Sequence, residues 1–124
     1  MQFIWIGVGG FLGANARYLV SVWAANRWGT GFPYGTAIVN ILGSFLIALF
    51  LTLSLEKLAI STEWRLLFAV GFLGSFTTFS TFAYEIVIMV SQGRWSVAML
   101  NMLGELFLGI VAVALGIAVA RLIA

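Results

Sequence analysis

Four apolar stretches divide the chain, and the polar residues fall mostly between them. They run from about Gln2 to Ala25, Gly35 to Leu55, Trp64 to Val90 and Trp95 to Arg121. A bilayer's hydrocarbon core takes roughly 20 helical residues, so each stretch is long enough to cross it. The pattern predicts an all-α membrane protein, a single domain over residues 1–124 with four transmembrane helices. Asn26 to Pro33, Glu56 to Glu63 and Ser91 to Arg94 supply the connections. Trp23, Trp28 and Tyr34 suit interfacial anchors, and Pro33, the only proline, suits a helix start.

The third stretch departs from the pattern at its centre. Gly71-Phe72-Leu73-Gly74-Ser75-Phe76-Thr77-Thr78-Phe79-Ser80-Thr81-Phe82 packs two glycines, a dense set of hydroxyls and several rings into one apolar span. Glycine is a poor helix former, and Thr78, Ser80 and Thr81 can bond the backbone locally in place of the helical ladder. These residues predict a third helix broken mid-membrane, near residues 74–79. Non-helical backbone at that depth is tolerated only when buried in protein or lining an aqueous path, so the break points to an ion or solute site. The alternative is a kinked helix whose hydroxyls bond back one turn earlier.

Small and polar residues mark the other spans. Gly9 and Gly13 share one helix face, as do residues among Gly104, Gly109, Ala112 and Gly116; such spacing lets helices approach closely. Asn40 lies one turn after Thr36 and is followed by Gly43-Ser44. A carboxamide in an apolar helix needs a partner; it either makes an interhelical hydrogen bond or turns its NH₂ toward an anion. Arg17, late in the first span, either snorkels to the interface or faces an anion-attracting vestibule. Asn101 and Glu105 alone give the fourth span a polar stripe.

Composition narrows the function. The chain is 63% hydrophobic and 8% charged, against about 25% charged in soluble domains. It has no cysteine and no histidine, which removes disulfides, thiolate chemistry and the commonest general base. An enzyme is not expected, and the net charge of +2 does not suggest nucleic acid. No Lys or Arg precedes the first apolar run, so no cleavable signal is expected. Four spans put both termini on one side with Lys57, Arg65 and Arg121, leaving Arg17, Arg27 and Arg94 on the other. That balance gives the positive-inside rule nothing to act on. The chain is therefore expected to insert both ways and to pair as an antiparallel, dual-topology homodimer.

Gly9-Gly10-Phe11-Leu12-Gly13-Ala14-Asn15-Ala16-Arg17-Tyr18, Gly35-Thr36-Ala37-Ile38-Val39-Asn40 and the Gly71-Phe72-Leu73-Gly74…Thr77-Thr78-Phe79-Ser80-Thr81-Phe82 block appear in order. Together they resemble the CrcB/Fluc fluoride channels over nearly the whole chain. The resemblance implies passive, fluoride-selective export across a bacterial cytoplasmic (inner) membrane by a multi-pass antiparallel homodimer with two pores. It implies a structural Na⁺ at the dimer centre, held by backbone carbonyls that map onto Gly74 and Thr77 of both subunits. It maps the pore aromatics onto Phe79 and Phe82 and the pore asparagine onto Asn40, with Ser80 and Thr81 as hydroxyl donors and Arg17 at the vestibule. Glu85 is expected to pair with a polar or basic neighbour. Three departures stand out: Ser75-Phe76 replaces a common Gly-Leu, the fourth span lacks the hydroxyls some members carry, and Asn101 lies where a tyrosine is sometimes found, with Glu105 added. An ionised Glu105 on an anion path would repel the ion, so it faces away, is protonated, or conduction is unusual. The runner-up is a small dual-topology, proton-coupled multidrug transporter. That class wants an acid in the first span, and there is none.

Overall fold

The structure is a computed structural model that describes residues 1–123. Its described residues are all helical apart from the connections, and four helical runs are long and apolar enough to cross a membrane: Gln2–Trp28, Tyr34–Lys57, Thr62–Ser91 and Trp95–Ile123. The first helix, at 27 residues, is about 40 Å long. Asn26, Arg27 and Trp28, expected in the loop, form its last turn. It stops at Gly29, whose φ of 81° is open to glycine and strained for other residues. Trp23, Trp28, Phe32 and Tyr34 then cluster, ring on ring, around the connection.

The second helix begins directly after Pro33 and runs over Tyr34–Thr52. It widens into a π-helical turn over Leu53–Lys57, so Glu56 and Lys57 continue the helix that was expected to end at Leu55. Ser61 caps the third run by accepting from the Trp64 N–H. That run has two arms. The first arm comprises an α turn at Thr62–Trp64, a π-wound segment at Arg65–Leu73 and a last α turn at Gly74–Phe76. Thr77 and Thr78 are extended, and the second arm is an α-helix over Phe79–Ser91. The fourth helix covers Trp95–Ile123.

Helices pack in two parallel pairs. The first helix lies along the first arm of the third run so closely that a Cβ on Gly9 would fall 1.9 Å from the Leu67 carbonyl oxygen, and one on Gly13 2.1 Å from that of Phe72. Gly71 reciprocates: a Cβ there would fall 2.6 Å from the Ile6 oxygen. Contact moves forward along both chains together, from Trp5 beside Trp64 to Arg17 beside Ser75, so the pair is parallel. The second and fourth helices are also parallel, at a constant offset. Asn40 meets Glu105 and Glu56 meets Arg121, each 65 residues apart. Ser44 and Gly109 obey the same spacing, and a Cβ on Gly116 would strike the Phe45 oxygen at 2.5 Å. Gly104, placed by sequence on this packing face, meets nothing within 4 Å.

Val39, Leu73 and Phe76 form the buried centre, flanked by Ala16, Val20, Leu46, Ile47, Phe68 and Phe72. Phe68, Phe72 and Phe76 stack at one-turn intervals, with centroids 5.7 and 5.6 Å apart. This ladder stiffens the arm that leads to Thr77. Many outward side chains are large and apolar, as lipid contact demands.

Substitution at the two kinds of glycine should separate packing from propensity. Gly13→Ala forces a methyl group onto backbone and should cost about 1–3 kcal/mol or more. Gly7→Ala meets open space and should be neutral or gain up to about 1 kcal/mol. Thermal unfolding in detergent, followed by retained helicity, would read both.

Candidate functional site

The extended pair Thr77-Thr78 removes four residues' worth of ladder from the third run, and named side chains take up the loose ends. Asn40 does most of this. Its Oδ1 accepts from the Thr78 N–H at 2.8 Å, and its Nδ2 donates to the Thr78 carbonyl at 3.0 Å. One carboxamide thus satisfies both backbone groups of one residue, as a neighbouring strand would. The second amide hydrogen goes to Glu105 Oε1 at 2.9 Å. Both hydrogens of the amide are committed to protein groups, which is the interhelical-bond reading of Asn40 rather than the free-donor one.

Thr78 also caps the second arm. Its Oγ1 accepts from the Thr81 N–H at 3.2 Å and lies 3.4 Å from Ser80 Oγ. A side-chain oxygen at this position is what an N-cap supplies. On the other side of the interruption, Thr77 Oγ1 bonds back to the Leu73 carbonyl at 3.0 Å. Arg17 Nε donates to the Ser75 carbonyl at 3.0 Å, so this arginine holds the end of the first arm.

The carbonyls of Gly74, Ser75, Phe76 and Thr77 lose their helical donors, and of these Ser75 is taken up by Arg17. In a continuous helix Gly74 would receive the Thr78 N–H and Thr77 the Thr81 N–H. Those donors are bound to Asn40 Oδ1 and Thr78 Oγ1 instead. The first-turn N–H groups of Phe79 and Ser80 likewise have no helical carbonyl before them. The interruption therefore sets carbonyl oxygens at the end of one arm and amide hydrogens at the start of the next.

A cavity of about 590 Å³ opens beside it, lined among others by Asn40, Gly74, Thr77, Phe79, Phe82 and Glu105. Phe79 and Phe82 sit with centroids 5.9 Å apart. Phe79 is 78% exposed in the single chain. Ser80 and Thr81 are not among the residues lining this cavity; Ser80 Oγ lies beside the capping Thr78 hydroxyl, and Thr81 meets that hydroxyl through its backbone N–H. A methyl group on Gly43 would run into Thr77 Cγ2 at 2.2 Å, so that glycine lets the second helix press against the interruption.

The glutamates are drawn inward. Glu105 faces Asn40 and lines the cavity at the interruption. Glu85 Oε2 accepts from Thr36 Oγ1 at 2.9 Å, the polar neighbour expected for it. Thr36 and Glu85 line a second cavity of about 330 Å³, together with Arg94 and the loop after the first helix. Arg94 also bonds the Gly31 carbonyl there. Neither the aromatic ladder nor Thr78 as the shared partner of Asn40 and Thr81 was legible beforehand; an Asn one span away from a Thr-Thr pair is the only signal of the latter.

The family described as "CrcB-like protein, Camphor Resistance (CrcB)" matches residues 4–117. Similar proteins include one from Roseiflexus sp. (strain RS-1), 49% identical and covering 99% of both chains. Another, from Acidobacterium capsulatum, is 47% identical over 96% of this chain and 95% of its own. A third, from Koribacter versatilis, is 43% identical over 90% and 89%. Each carries the name "Fluoride-specific ion channel FluC", and none of these names supports a multidrug transporter. With a full-length match and its polar interruption between packed spans, the chain belongs to the CrcB-like protein family.

Proposed function

We propose that this protein is a fluoride-specific ion channel that lets fluoride leave a bacterial cell passively through the cytoplasmic membrane. The near-complete match to relatives of that name carries the reading. The site geometry agrees with it. A channel must hold an ion firmly enough to replace its water and weakly enough to release it. Here the donors are neutral: the opening N–H groups of the Phe79 helix, with its positive dipole end, and the positive edges of Phe79 and Phe82.

The active unit in this proposal is an antiparallel homodimer with its interruption mid-membrane. The balance of basic residues supports dual insertion, and exposed Phe79 beside an open cavity supports a covering second copy. Phe79 and Phe82 would then line a track with partner residues. The carbonyls of Gly74 and Thr77 would hold a structural Na⁺ between subunits; their missing helical donors are the feature that suits them to it. Neutral oxygens match a monovalent hard cation, and when bound it would offset stranded carbonyls and add positive potential near the anion path. Asn40 acts in this scheme by fixing Thr78, and so the start of the second arm, and Arg17 by fixing its approach through Ser75.

Three outcomes are expected. Liposomes carrying the purified protein and loaded with fluoride should release it under a potassium-ionophore potential, read with a fluoride electrode; efflux no faster than from empty liposomes sinks the reading. Phe79→Ile and Phe82→Ile should each slow that efflux strongly while the dimer persists in cross-linking, and normal flux in both would remove the ring-lined track. Asn40→Asp keeps the acceptor for Thr78 but loses both N–H donors and faces Glu105 with a second acid. It should cost about 1–3 kcal/mol per lost buried bond and abolish flux, read as a lowered melting temperature and a silent electrode trace.

A further inference from the structure

The constant offset between the second and fourth helices arranges the buried polar groups in two layers. Asn40 and Glu105 form one, beside Thr78. One turn toward the helix starts, Thr36 and Asn101 fall opposite each other at the same 65-residue spacing that Asn40 and Glu105 show. Glu85, bound to Thr36, completes that second layer. The layers are about 5–6 Å apart, the rise of one helical turn.

Four polar atoms here lack protein partners and are closed to solvent: Glu85 Oε1, Glu105 Oε2 and both Nδ2 and Oδ1 of Asn101. Asn101 is 1% exposed, among the most buried side chains of the chain. Glu85 and Glu105 each spend their other oxygen on a neighbour, Thr36 and Asn40. A buried carboxamide with no partner costs free energy on the order of 1–3 kcal/mol per group, and such clusters in folded proteins hold ordered water. The donor set suits that ligand. Three acceptor oxygens and one NH₂ call for a small species that both donates and accepts; a bare anion would meet mostly acceptors.

Position gives the site its meaning. Thr36 and Glu85 line the loop-side cavity, and Asn40 and Glu105 line the cavity at the interruption. Asn101 lines neither, yet lies on the face between them. We propose that Asn101, with the free oxygens of Glu85 and Glu105, holds ordered water that joins the two cavities into one polar path through a single subunit. Asn101 is a positioning residue in this path. It holds water, and that water steadies Glu105, which holds Asn40. Only the consequence for flux rests on the channel reading; the water site does not.

High-resolution structures and flux of three proteins test this together. The wild type should show ordered solvent within hydrogen-bond distance of Asn101, Glu85 and Glu105. A dry cluster, its groups paired directly with each other, overturns the proposal. Asn101→Leu keeps roughly the volume and removes the polar groups, so it should fold, lose that solvent and slow fluoride efflux about tenfold or more, the size of one lost hydrogen bond. Asn101→Ser leaves room for water and should keep efflux within a few-fold of wild type. If Asn101 only fills space, the order reverses, with Leu benign and Ser damaging, and the inference fails. Should Asn101→Leu not fold, the wild-type solvent and the Ser variant still decide it. A wild type that releases no fluoride sinks the channel reading, while its solvent density continues to decide the water site.

Discussion

An interrupted helix among apolar neighbours leaves peptide groups that water cannot reach, and each unpaired group is costly there. The bonds from Asn40 to both backbone groups of Thr78 meet that constraint. They let Thr77 and Thr78 stay extended, and they release the Gly74 and Thr77 carbonyls from helical donors. The Thr78 hydroxyl then starts the second arm by capping it. Without the carboxamide, the cheapest solution for this stretch would be to close the ladder again as a continuous helix.

Asn40 reaches Thr78 because of how the helices pack. Gly43 lets the second helix touch Thr77, while Gly9, Gly13 and Gly71 bring the first helix against the arm before it. Arg17 reaches Ser75 on the same account. The interruption is thus clamped from both sides at glycine, backbone against backbone along the first helix and backbone against the Thr77 side chain along the second, reinforced by stacked Phe68, Phe72 and Phe76. Close contact is specific here because lipid-facing surfaces are apolar everywhere; shape and hydrogen bonding, rather than hydrophobicity, choose the partners.

Glu105 changes the electrostatics of the proposed fluoride path. The structure turns this acid of the fourth span toward Asn40. Glu105 takes the amide hydrogen of Asn40 that the Thr78 carbonyl leaves over, so both are in protein bonds. Anion contacts in the proposed channel then fall to the start of the second arm and to the phenyl edges, groups that carry partial rather than full charge. Such donors favour passage over tight binding.

The four spans and the family were legible in the sequence, because hydrophobic length and the ordered glycine and Thr-Thr-Phe-Ser-Thr-Phe motifs are local properties. So was the unusual character of residues 71–82: glycine and hydroxyl content weakens a helix wherever it occurs. Sequence did not say which carboxamide would meet which peptide group, that Glu105 would face inward, that the Thr78 hydroxyl would cap the Thr81 N–H, or that Asn101 would be fully buried. The contacts between helices depend on the register in which those helices pack, and the cap forms only once the ladder has parted at Thr77-Thr78. A shift of one residue turns a side chain by about 100°, and only three-dimensional packing, through contacts such as Gly116 on Phe45 and Gly43 on Thr77, fixes that register.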